Sequence, residues 1–344
     1  MIYWVIFHIL FFCSLVVSVK SKDISIRRFF KFITIFLLFY FSAFRDGLGV
    51  DYNNYIEKLS WPVDFSQNSM LVMAEPVFAL IAYLVQTTHL SEVFFFAVCA
   101  FVTNVVIADY YYKDKRYVIQ ALCIYLFFTM LYYTSFNLCR QYFATGLFFF
   151  ALRYVDKKNI WLWTVCILIA MGMHTSAIFL WPFYFILNRR LSLKVLIIIS
   201  LIAFSLIGTL GSFIGAYVLY LDTDEKIGAS GFVILYNIIL FILFINKKAR
   251  GSVTTQEFNL MFFMTLFSDL SFFVFYFFRF TIYFIPVIGL VIPRVLDSFS
   301  PKLKLSPLFC FALFILFYFI LIQNSSNPLY IPSKILPISS LFDT

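Results

Sequence analysis

Three arginines, Arg45, Arg140 and Arg279, stand at the ends of long apolar runs, away from the short clusters that hold most of the basic residues. Around them lie other groups able to do chemistry. Asp46 and Asp51 fall in "FRDGLGVDYNNYIEKL", Glu75 precedes Pro76, Gln141 follows Arg140, His174 lies in "MGMHTSAIFL", and Tyr283 is four residues beyond Arg279. An arginine inside a span costs about 2.5–3.5 kcal/mol on insertion scales, and less near the interface. Three of them at one depth call for a common purpose. Guanidinium groups grip phosphate oxygens in bidentate fashion. Arg140 and Arg279 also stand where helices re-enter the membrane, so free backbone N–H groups and the helix dipole favour an anion there. A pyrophosphate at the membrane surface is a natural ligand for such a set.

Each residue alone also has a plainer reading. An interfacial arginine can snorkel to lipid headgroups. Arg45 and Asp46 can form a local loop ion pair, Glu75–Pro76 can mark a helix start, and His174 can be a polar helix contact. His8 and His89 read as structural or solvated. Asp269, in mid-span, is costly in lipid and reads as facing the bundle interior. The aromatic residues are mostly packing or lipid-facing, although Tyr52, Tyr55 and Trp61, beside a polar loop, can stack on sugar rings.

The elements that position these groups follow from composition. The chain has 344 residues, 63% of them hydrophobic and 12% charged, with 49 Phe among them. A soluble protein of this length has no interior large enough for that much apolar side chain. Continuous apolar runs of about 20 residues read as transmembrane helices, which excludes the alternating pattern of a β-barrel. The expected class is all-α, a polytopic integral membrane protein with about twelve transmembrane or partial helices. The runs fall near 2–19, 29–44, 92–112, 117–135, 138–154, 160–173, 176–187, 195–220, 231–246, 258–278, 280–293 and 306–323.

With the N-terminus outside, six loops facing the cytoplasm carry 20 of the 26 Lys and Arg residues, as the positive-inside rule requires. The net charge of +9 therefore reports membrane orientation and gives no reason to invoke nucleic acid. A basic cluster follows the first apolar run, which favours a retained first span over a cleaved signal peptide. The six cysteines lie in or beside apolar spans without a CxxC spacing, and neither a disulfide framework nor a metal site is expected. The organisation is a single transmembrane domain over 1–344, with a periplasmic loop at 45–70. Counting 71–88 as a full crossing would reverse every later loop, so this run is read as re-entrant or lying along the outer face, the alternative being that another weak segment also crosses and restores the parity.

Four segments, in this order, resemble the EpsG-like family of bacterial polysaccharide polymerases, which includes many O-antigen polymerases of the Wzy type. They are the loop "FRDGLGVDYNNYI", the Glu-Pro helix start "AEPVFALIAYL", the Arg-Gln helix start "FNLCRQYFATGLFFF" and the segment "MGMHTSAIFL"; a looser fifth match is "FYFFRFTIYFIP". The resemblance implies a membrane glycosyltransferase of GT-C type in the bacterial inner membrane, working at the periplasmic face. It implies transfer of the growing glycan from undecaprenyl pyrophosphate to the next lipid-linked repeat unit. On that basis Arg140 and Arg279 hold the pyrophosphates with Arg45 as third donor. His174, Asp51 or Glu75 handles the acceptor hydroxyl, and Asp46, Tyr52, Gln141 and Tyr283 contact substrate. No cofactor is implied, because guanidinium groups supply the charge neutralisation. The implied partners are the undecaprenyl-pyrophosphate-linked oligosaccharide, membrane lipids and a separate chain-length regulator.

Other readings are weaker. An O-antigen ligase would carry a larger periplasmic loop between late spans, and a flippase or transporter of lipid-linked sugars would show paired repeats. An acyltransferase would place its histidine in a compact motif with a second catalytic polar residue.

Overall fold

A helix that is apolar on every side has no face to offer water and must lie in lipid or against other helices. In the computed structural model all the regular elements among the described residues are helical. The structure describes residues 2–49, 51–63, 74–88, 90–128, 131–218, 230–274, 277–299, 336 and 338–341. The expected span 306–323, His89 and the 64–73 stretch of the expected periplasmic loop lie outside these. Two helical stretches, Val93–Tyr112 and Phe277–Phe299, are long and apolar enough to cross a membrane, and 7 shorter apolar helices accompany them. The chain is a helical membrane protein. Contacts within the chain define two compact units: Met1–Pro182 with Leu305–Thr344, and Phe183–Lys304.

In the first unit α1 (Ile2–Lys20) and α2 (Ile24–Ala43) form a hairpin. Asp23 begins α2 as a true N-cap, accepting from the Ser25 and Ile26 amides at 2.6 and 3.2 Å; such a cap is worth about 1 kcal/mol. Ser14 and Thr34 join the two helices through their hydroxyls at 2.9 Å. A short amphipathic helix follows, α3 (Tyr52–Ser60), which buries Tyr52, Tyr55 and Leu59 and exposes Asn53, Asn54, Glu57 and Ser60. Next come α4 (Pro76–Thr88), α5 (Val93–Tyr112), α6 (Val118–Phe127), the single turn α7 (Thr134–Asn137), α8 (Cys139–Asp156), α9 (Ile160–Met173) and a 3-10 helix, Thr175–Phe185.

The ends of this unit differ in character. Lys31 in the first half of α2 pairs with Asp109 near the end of α5 at 3.1 Å, and Lys113 follows the end of α5 directly. The other end of α2 and the beginnings of α4 and α8 carry the first three signature segments. Helix α4 has 13 residues, a rise of about 20 Å against a hydrocarbon thickness of about 30 Å. The expected span 117–135 is not one helix. Helix α6 stops at Phe127, and Phe128 is extended at φ −76°, ψ 108°. The chain then folds back, with the Tyr132 amide donating to the Tyr125 carbonyl at 3.2 Å and the Tyr132 hydroxyl to the Leu38 carbonyl at 2.8 Å.

The second unit contains α10 (Leu193–Val218), α11 (Ser230–Ile245), α12 (Lys247–Ser252), α13 (Thr255–Leu270), α14 (Phe277–Phe284) and α15 (Ile288–Phe299), with a short 3-10 turn, Ile285–Val287, between the last two. Thr254 and Glu257 form a capping box at the start of α13, and Glu257 also pairs with Arg294. Asn259 donates to the carbonyls of Ile186, Leu187 and Arg189 at 3.1, 2.8 and 2.9 Å. Asp269 is half-buried and accepts from Asn237 Nδ2 at 2.7 Å. It thus finds an amide partner on a neighbouring helix, which is how a mid-span carboxylate is accommodated.

Candidate active site

The loop after α2 is organised around Arg45, which is 1% exposed. Its Nε donates to the Leu48 carbonyl at 3.1 Å, Nη1 to the Ser42 carbonyl, and Nη2 to the Phe136 carbonyl at 2.9 Å and Cys139 Sγ at 3.0 Å. The rings of Phe96 and Phe136 face the guanidinium at 4.7 and 4.9 Å. Hydrogen bonds from a charged donor contribute about 1.5–3 kcal/mol each, so the loop is firmly held. Gly49 lets it approach. At φ +117° a side chain there would be strained, and a Cβ would lie 2.8 Å from Asn137 Oδ1 and 3.0 Å from the Phe136 carbonyl oxygen. Tyr55 completes the attachment by donating to the Asn137 carbonyl at 3.0 Å. The first signature loop is thereby fixed against Phe136–Cys139, immediately ahead of Arg140.

Three further signature residues meet at Glu75. Pro76 opens α4, its fixed φ and missing N–H suiting a first helical turn, and leaves the Glu75 side chain just ahead of the helix. One oxygen, Oε2, pairs with Arg140 Nη1, from the second residue of α8. The other, Oε1, lies 3.6 Å from His174 Nδ1 and accepts from the Thr175 amide at 3.5 Å. His174 is where α9 gives way to the 3-10 helix, and its extended backbone, φ −151° and ψ 108°, turns the imidazole toward α4. Thr175 adds a bond from its hydroxyl to the Ala74 carbonyl at 3.2 Å. Gly172, one turn earlier, gives Val77 the room to pack close: a Cβ there would meet Val77 Cγ2 at 2.6 Å.

The cluster is enclosed without being sealed, with the Arg140 and Glu75 side chains 16% and 13% exposed. The Phe78 and Tyr55 rings flank the Arg140 guanidinium at 4.9 and 5.7 Å. Burial works to raise the Glu75 pKa. The facing His174 imidazole and the Arg140 charge outweigh it, so the carboxyl sits below its ordinary range and is ionised at neutral pH. Arg140 Nε and His174 Nδ1 are buried with no hydrogen-bond partner among the described residues. A cationic group with an unused donor, beside an ionised carboxylate and an imidazole, is equipped to hold an anion and to move a proton.

A family model described as the EpsG family matches residues 28–337. The chain belongs to the EpsG family. No curated protein and no solved structure matches it. Membership of the EpsG family agrees with a polysaccharide polymerase-type activity, and the Glu75, Arg140 and His174 cluster lies wholly within the matched segment.

The remaining expected site residues are distributed differently. Arg45, expected at phosphate oxygens, is buried and donates to backbone carbonyls and a thiol. Tyr52, expected at substrate, is 7% exposed and stacks on Phe96 at 4.6 Å with an interplanar angle of 6°. Gln141, also expected at substrate, is 2% exposed and buried in the core. Asp51 opens α3 without capping it and accepts from Asn54 Nδ2 at 3.1 Å. Asp46 is half-buried near Tyr52 in the Arg45 loop. Arg279 and Tyr283 belong to the second unit, on α14, Arg279 exposed and Tyr283 buried. The sequence reading missed Thr175 and Phe78. Both had a signal: Thr175 directly follows His174 in the fourth signature, and Phe78 lies two residues after Pro76 in the second.

Proposed function

We propose that this EpsG-family protein is a GT-C-type polymerase of O-antigen or another surface polysaccharide. It transfers the growing glycan from undecaprenyl pyrophosphate to the non-reducing end of the next lipid-linked repeat, at the periplasmic face of the bacterial inner membrane. The observation that carries this reading is the convergence of the Glu-Pro, Arg-Gln and His-Thr-Ser segments on Glu75. The segregation of Lys31 and Lys113 to the other end of the first unit supports a periplasmic position for the cluster.

In the reaction the bond between the anomeric carbon and the pyrophosphate oxygen breaks, and its electron pair leaves with the lipid pyrophosphate. Arg140 stabilises that developing charge. The acceptor hydroxyl oxygen forms the new bond to the anomeric carbon and gives its proton to His174 Nε2. Glu75 on the Nδ1 side orients the ring and stabilises the imidazolium, as carboxylates do in other acid–base pairs. Of the three candidate bases this assigns His174, with Glu75 as its partner, and leaves Asp51 to the loop. Arg45 acts by holding the segment that begins α8. Arg279 keeps its proposed part at the pyrophosphate on the strength of the sequence resemblance. Partners are the lipid-linked oligosaccharide, the surrounding lipids and a chain-length regulator.

The test is deletion of the gene in its native strain, with surface polysaccharide resolved on a gel and complementation by wild type and Arg140→Ala. A ladder that collapses to core plus a single repeat, restored by wild type alone, supports the polymerase. Loss of even the single repeat transfers the assignment to a ligase or flippase, and an unchanged ladder overturns the reading.

A further inference from the structure

We infer that Glu75 is the resident counter-anion of Arg140, and that the donor's pyrophosphate displaces it and passes it to His174. This rests on the polymerase reading above and adds an order of events to it. The lipid-linked donor binds first, and only then is the imidazole fully paired for taking a proton from the acceptor.

The geometry is that of one carboxylate divided between two basic groups. Oε2 is on Arg140 and Oε1 faces His174. The division is unequal. The arginine contact is a close ion pair, whereas the 3.6 Å to His174 Nδ1 is beyond hydrogen-bond range. Arg140 Nε and His174 Nδ1 are each left without a hydrogen-bond partner among the described residues. A ligand with several acceptor oxygens would use the first, and a small shift of Glu75 would satisfy the second.

Charge determines what such a ligand can be. The guanidinium is largely enclosed, with Phe78 and Tyr55 beside it, and removing its carboxylate without replacement would leave a poorly solvated cation. The exchange must therefore be anion for anion. A neutral sugar cannot drive it, whereas a pyrophosphate brings more charge and more acceptors than the carboxylate it replaces. The anchors of the two bases are fixed, Arg140 by the first turn of α8 and His174 by the junction of α9 with the 3-10 helix. Glu75 is the member placed ahead of its helix, so a rotation of its side chain accomplishes the transfer. No covalent bond changes. The freed carboxylate accepts from His174 Nδ1–H and leaves Nε2 as the proton acceptor.

The experiment measures binding of farnesyl pyrophosphate, a short polyprenyl pyrophosphate, to the full chain in lipid nanodiscs, for wild type, Glu75→Gln and Arg140→Ala. Removing the competing charge is expected to tighten binding by about tenfold in Glu75→Gln, while its glycan transfer falls. Arg140→Ala is expected to lose the probe. If Glu75→Gln fails to insert, Glu75→Asp serves, since a shorter carboxylate holds Arg140 less well and should also bind the probe more tightly than wild type. Unchanged or weaker binding by the Glu75 variant, with wild type still binding better than Arg140→Ala, overturns the displacement and leaves the pyrophosphate site standing. A wild type that binds no better than Arg140→Ala overturns both.

Discussion

Arg45 Nη2 donates to the Phe136 carbonyl at 2.9 Å across 91 residues of chain, and this contact ties the first signature loop to the segment that launches Arg140. Lysine cannot reproduce the fork that reaches Ser42, Leu48 and Phe136 together. Arg45→Lys is expected to cost about 2–4 kcal/mol of stability, read as a lower unfolding midpoint of the purified protein. Polymer length should fall with it. A variant as stable as wild type but without activity would return Arg45 to direct contact with phosphate.

The two loop glycines should behave differently. Gly49→Ala meets both a strained φ of +117° and the Asn137 and Phe136 oxygens, whereas Gly47, at φ +63°, has nothing within 4 Å of a new Cβ. The left-handed conformation alone costs about 1 kcal/mol, and overpacking about 1–3 kcal/mol more. Gly49→Ala should therefore be the more damaging in thermal unfolding and in polymer yield. Equal effects would show that the close approach to α7 is unimportant.

His174→Ala is expected to lower the transfer rate by about 10²–10⁴-fold while the protein still inserts. Probe binding should survive, because the anion is held by Arg140. Asp51→Asn should have a much smaller effect on rate, since Asp51 is engaged with Asn54. A larger loss from Asp51→Asn than from His174→Ala would move the base to the loop.

Acid should reveal the Glu75 ion pairs. The folded carboxyl titrates below its ordinary value of 4.5, so the unfolded chain takes up the proton first as pH falls. The stabilisation is therefore complete above the ordinary carboxylate range and is lost as pH falls through the depressed folded value. Urea unfolding of wild type should show this acid-dependent loss, and in Glu75→Gln that part of the loss should vanish. A pH profile identical in the two proteins would mean the pairing contributes nothing to stability.

The fold was legible where one property dominates. Continuous apolar runs forecast α1, α2, α5 and α8 closely, because lipid demands the same chemistry on every face. The break after Phe127 was not legible. The apolar run continues through it, and what stops the helix is a set of contacts to Tyr125 and Leu38 made by residues that read equally well as helix. Glu75, Arg140 and His174 stand out in the sequence because ionisable groups are costly near lipid, and the structure brings the three together. The role of Arg45 was hidden, since carbonyl acceptors have no sequence signature. The stacking of Tyr52 on Phe96 was hidden for a related reason: a tyrosine beside a polar loop has the same letter whatever its ring packs against.

Helix α3 has its packing obligations on one side only. Tyr55 lies beneath the Arg140 guanidinium while Asn53, Asn54, Glu57 and Ser60 point outward. Side chains on the outward side can be exchanged without repacking anything beneath them.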